Sequence, residues 1–174
     1  MNKARIIKLR ITALVVGILS SLTLFTVLAQ TPNTALASVT WSPDGTMVAG
    51  GGKDILRVWN ASTGATIVNL QGISPGHVNL SVSWSPDSKK LVTATDDLLV
   101  RVWNIADPNY SVGQLLGTLT PANQGSFLWS AVWSPNGQSI ATGLTSDGYT
   151  LKIWNANNFS MTDQFASGWS RKLS

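Results

Sequence analysis

The segment SVSWSPDSKKLVTATDDLLVRVWN, residues 81–104, decides how this chain folds. A β-rich run ends in Trp84 and meets Ser-Pro-Asp, where Pro presets φ for a turn and Asp bonds its own backbone. A second run, LVTAT, stops at Asp96-Asp97, and a third, LLVRVWN, ends at Asn104. The same order recurs on both sides. SVTWSPDG (38–45), MVAGGGKD and ILRVWN precede it, and SAVWSPNG (130–137), SIATGLTSD and YTLKIWN follow it. Trp41, Trp84 and Trp133 set a period of 43 and then 49 residues, tracked by Trp59, Trp103 and Trp154. Repeats of that length belong to arrays of one supersecondary unit. They also account for six of the eight Trp.

A fourth run closes each unit, at 65–70, 114–119 and 161–165. Four short antiparallel strands per repeat are the pattern of a β-propeller blade. The expected fold is therefore all-β, a partial propeller of about three blades over 38–174, at about 38–72, 81–120 and 129–166. No helical periodicity occurs after residue 30.

The residues now resemble the WD-repeat family. Its blades carry a strand ending in SPDG, an Asp before the third strand, and a Trp-Asp dipeptide after it. Here Trp41, Trp84 and Trp133 precede the Ser-Pro turns, Asp54, Asp97 and Asp147 match the Asp, and the dipeptide is Trp-Asn each time. Only one unit keeps the family's Gly-His dipeptide, at Gly76-His77. The resemblance implies a structural relay of hydrogen bonds through His77, Thr93, Asp97 and Trp103, because a closed buried network fixes strand register. It also implies that the loops joining fourth to first strands and second to third strands line a partner-binding face. Phe127 and Trp129 close the longest inter-unit connection, 107–128, and are candidate anchors on that face, with Tyr149 a weaker one. The competing role for the pair is to cap the edge of an unfinished blade.

The N-terminus is separate. Lys3, Arg5, Lys8 and Arg10 precede an apolar run at 11–28 broken only by Ser and Thr. This is the layout of a secretory signal, and the run is also long enough to anchor the chain in a membrane. Residues 1–29 are thus expected to be a signal peptide or anchor and 30–37 a linker, with cleavage after Ala29 or Ala37. The remainder would then be periplasmic or extracellular, touching a membrane only through its N-terminal segment.

Those four cations supply the whole net charge of +4; from residue 30 onward eight Lys/Arg balance eight Asp. A neutral body with no basic aromatic groove gives no nucleic-acid partner. Cys and Glu are absent and His77 is the single His, so disulfides, thiolate metal sites and a Cys nucleophile are excluded. No metal or cofactor is expected. Gly50-Gly51-Gly52-Lys53 has neither the first Gly nor the Ser/Thr of a phosphate loop. Asn60, Asn79, Asn109 and Asn158 begin Asn-x-Ser sequons.

These features point to an exported, non-enzymatic module that binds an unidentified protein partner. The alternatives are an envelope propeller of the Tol-associated type and, from a different class, a propeller hydrolase. Closed propellers hold roughly four to eight blades. Three copies therefore lead to two expectations, self-association into a ring or a piece of a longer propeller.

Overall fold

A computed structural model describes residues 35–72, 75–122, 126–145 and 149–166. The N-terminal segment expected to be a signal or anchor, and Asp147, lie outside these residues, and of Tyr149 only its position in a strand is described. Among the described residues, twelve strands form three antiparallel sheets. Blade 1 consists of β1 (Leu36–Trp41), β2 (Met47–Gly52), β3 (Ile55–Asn60) and β4 (Thr66–Asn69). Blade 2 consists of β5 (Asn79–Trp84), β6 (Lys90–Thr95), β7 (Val100–Asn104) and β8 (Leu115–Leu119). Blade 3 consists of β9 (Phe127–Trp133), β10 (Ser139–Thr145), β11 (Tyr149–Asn155) and β12 (Met161–Ala166). Each sheet keeps chain order, so every connection within a blade is a hairpin.

Two boundaries differ from the sequence reading. Residues 36 and 37, read as the end of a linker, already belong to β1, where Leu36 pairs with Gly52. β9 begins at Phe127, so Phe127 and Trp129 stand on a strand and not in the preceding connection. A register shift opposite Gly143 and Leu144 hides the start of β9 by breaking its alternation.

The Ser-Pro-Asp turns are tied by their own side chains. Ser42 Oγ donates to Asp44 Oδ1 at 2.6 Å, and Asp44 Oδ1 accepts from the Thr46 N–H at 2.9 Å. Ser85 and Asp87 repeat the arrangement, as do Ser134 and Asn136. These bonds hold Asp44 below the usual carboxylate range, the Ser42 hydroxyl most of all. At Asp87 burial pushes upward, but the Ser85 hydroxyl, the Lys89 N–H and two lysine charges together bring it below that range.

The core lies between the sheets. Trp41, Val48 and Trp59 form a row across blade 1; Trp84, Leu91 and Trp103 form the matching row in blade 2. In blade 3 the row is Trp133, Ile140 and Trp154. The opposite face of blade 1 (Ala49, Leu56, Val58, Leu70) packs on the tryptophan face of blade 2. Likewise Val92, Ala94, Val100, Val102 and Leu119 of blade 2 pack on the tryptophan face of blade 3. Strand alternation thus sends the two faces of blade 2 to two different neighbours, blade 1 and blade 3. Gly51 lets the first pair approach: an added Cβ would stand 2.7 Å from Asn79 Cβ.

Candidate functional site

The four residues of the expected relay do not form one chain of hydrogen bonds. Trp103 Nε1 donates to Thr93 Oγ1 at 3.1 Å, both buried. Trp154 and Thr142 repeat that bond at 3.0 Å, whereas blade 1 has Gly50 at the position facing Trp59. His77 instead meets Asp96, with 2.8 Å between Nδ1 and Oδ1, at a half-exposed site. Asp97 is occupied by Arg101, which reaches both carboxylate oxygens at 3.2 and 2.6 Å. The reason is local. The bidentate pair and the Leu99 N–H saturate Asp97, and Asp96 already caps the Val78 N–H. His77 sits one residue before Val78 and so falls to Asp96, near the surface.

Asn79 was visible in the sequence only as a sequon. It is fully buried at the junction of blades 1 and 2. Its amide donates to Gly52 O at 3.2 Å and Ile55 O at 2.9 Å, and its carbonyl accepts from Thr95 Oγ1 at 3.3 Å. One side chain therefore clamps two blades. Sequence spacing could not reveal this, because the acceptors are backbone groups 24 and 27 residues earlier.

Phe127 and Trp129 lie at the start of β9, on the end of the molecule where first strands begin and second strands turn into third strands. They are 65% and 57% exposed, with ring centroids 6.4 Å apart. Beside them is a cavity of about 210 Å³ lined by Leu80, Asp96, Leu98, Phe127, Leu128 and Trp129. Its wall is mostly hydrocarbon, with one carboxylate at the rim. Leu98 reaches it from a left-handed backbone conformation (φ 67°), which a residue with a bulky side chain adopts only when its surroundings hold it there. The Leu98 N–H donates to Thr95 O at 3.0 Å, and the Asp97 carboxylate takes the next N–H.

A larger cavity, about 490 Å³, opens on the same end of blade 1 between Asp54, Arg57, Asn69 and Gly72. There Arg57 donates to Asn69 and lies over the Trp59 ring at 5.8 Å. No group of three or more His, Cys, Asp or Glu side chains able to hold a metal occurs among the described residues. No helix among them is long and apolar enough to cross a membrane.

Four-stranded sheets stacked face to face through tryptophan rows define the chain as a protein of propeller-type blades. Its sequence matches the family described as WD domain, G-beta repeat, at residues 24–60, 69–104 and 113–155, and the chain belongs to that family. Each matched unit ends with the third strand of a sheet; the second begins at the last residue of β4 and the third just before β8, so the third match takes in the outer strand of the preceding sheet. Among similar proteins is the Protein HIRA of Dictyostelium discoideum, 30% identical over 73% of this chain. The small ribosomal subunit protein RACK1z of Oryza sativa is 30% identical over 71%. The protein transport protein sec13 of Aspergillus oryzae is 28% identical over 63%. The chain spans only 13%, 35% and 37% of their respective lengths.

Proposed function

We propose that this chain is an exported, non-enzymatic protein-binding module, and that the rim formed by Phe127, Trp129 and the adjoining cavity is its contact surface. The observation that carries the reading is the exposed aromatic pair beside an apolar recess. Large rigid aromatics next to a desolvated pocket supply most of the affinity in protein interfaces. An apolar side chain of the partner fills the recess, and the Asp96 carboxylate at its edge favours a partner segment that also carries a cation. Similar proteins named as a small ribosomal subunit protein and a protein transport protein support a binding role. Export rests on the basic start and apolar run of residues 1–29, which either leave as a signal or stay as an anchor.

The test is a photo-crosslinking amino acid at position 129, compared with one at exposed Asn109 on a separate loop. Crosslinking to a discrete partner at 129, abolished by Phe127→Ala, is the expected result. Equal labelling at both positions would remove the reading. A reporter phosphatase fused after Ser174, active only outside the cytoplasm, tests export separately.

A further inference from the structure

The two outermost sheet faces carry exposed apolar side chains, and each has an internal template. On blade 1 the open face carries Val39, Trp41, Val48 and Trp59. The same positions in blade 2 are Val82, Trp84, Leu91 and Trp103, all buried against blade 1. Trp41 is 63% exposed where Trp84 is 5% exposed. On blade 3 the open face carries Val132, Ala141, Leu151, Ile153 and Phe165. Its counterpart in blade 2 includes Val92, Val100, Val102 and Leu119, buried against blade 3. Phe165 is 52% exposed where Leu119 is 1% exposed.

One open face is therefore the front half, and the other the back half, of an interface that the chain already makes twice. We infer that a second copy of this chain covers both: blade 1 of each copy packs on blade 3 of the other, giving a closed ring of six blades. The faces are complementary in three respects. Both are apolar at the positions where the internal interfaces are apolar. Arg57 stands on the blade 1 face and Asp163, opposite Ile153, on the blade 3 face, so the formal charges are opposite. The front face is aromatic and bulky, whereas the back face contains Ala141 and Gly143, which leave room for it, as Ala49 and Gly51 do between blades 1 and 2. A head-to-tail contact repeated by a two-fold closes on itself, and six blades fall within the range of roughly four to eight that propellers use. Closure also removes two exposed apolar faces of the kind that monomers rarely carry.

The experiment is light scattering behind a sizing column on the full chain, in the N-terminal form the host leaves, with the protomer mass taken by mass spectrometry. The wild type is expected as a single species of twice the protomer mass. Trp41→Asp and Phe165→Asp, on opposite faces and both exposed in one copy, are each expected to raise the dimer Kd by about a hundredfold or more. Their circular dichroism is expected to match the wild type. Mixing the two variants restores a dimer, because one head-to-tail contact then joins two unaltered faces. A monomer at high micromolar concentration overturns the inference and leaves the faces to further blades of a longer chain. An open-ended ladder of masses overturns closure. A dimer insensitive to both substitutions overturns the assignment of the faces.

Discussion

Replacing Asn79 by Ala removes the clamp between blades 1 and 2 without touching any exposed surface. Three hydrogen bonds are lost, two to backbone carbonyls of blade 1 and one from Thr95. At about 1 kcal/mol each, the loss is about 3 kcal/mol. The buried position cannot be rehydrated without opening the junction, so the unsatisfied groups keep that cost. For a unit of this size, about 3 °C of melting temperature accompanies each kcal/mol, which predicts a fall of about 10 °C. Asn109→Ala is the control: its side chain is exposed and bonds only Asp107, and its expected change is within about 0.5 kcal/mol. Thermal unfolding followed by tryptophan fluorescence reads both variants. An Asn79→Ala variant melting within about 2 °C of the wild type would refute the claim that this side chain joins the blades.

Other substitutions probe neighbouring claims. Thr93→Val leaves Trp103 Nε1 buried without an acceptor and is expected to cost about 1–3 kcal/mol in urea unfolding. His77→Ala breaks only a half-exposed pair and is expected to cost under about 1 kcal/mol; equal costs would mean that the histidine belongs to the buried network after all. Gly51→Ala drives a Cβ onto Asn79 and is expected to destabilise by about 1–3 kcal/mol. Asp44 and Asp87 have carboxyls held below their usual range, so their charged forms stabilise the fold above the ordinary carboxylate pKa of about 4, and that contribution fades as pH falls through the lower folded value. Because Asn136 fills the same place in blade 3, the double variant Asp44→Asn, Asp87→Asn is expected to fold. Its urea midpoint is expected to fall less between neutral pH and about pH 3 than that of the wild type.

The sequence was most readable where local chemistry and period agree. Trp-Ser-Pro turns, the Trp one residue before the end of each third strand, and the Thr to which two of those Trp donate all follow from spacing inside one hairpin, and the sheets have that order. The site was less readable, for two physical reasons. His77 and Asp96 are joined across 19 residues, and choosing Asp96 over Asp97 depends on Arg101 having already claimed the latter. Asn79 acts on backbone carbonyls of another blade, and backbone acceptors have no sequence identity to recognise. Only the first residues of β9 were assigned to the preceding connection, because a register shift interrupts the alternation there. Trp133 adds a smaller puzzle: its Nε1 is buried without a partner, although the equivalent atom of Trp84 reaches Thr40 O at 3.4 Å.

The chain contains no Cys, so paired cysteines test the stacking of blades directly. Ser38 Oγ accepts from the Val82 N–H across blades 1 and 2, and Ser81 Oγ from the Ala131 N–H across blades 2 and 3. The variants Ser38→Cys, Val82→Cys and Ser81→Cys, Ala131→Cys are each expected to link within one molecule when treated with a short bifunctional thiol reagent. Ser38→Cys, Ala131→Cys, which skips a blade, is expected to stay unlinked within the molecule. Efficient linking of that skipped pair, with failure of the two adjacent ones, would contradict the sequential face-to-face stacking of the three blades.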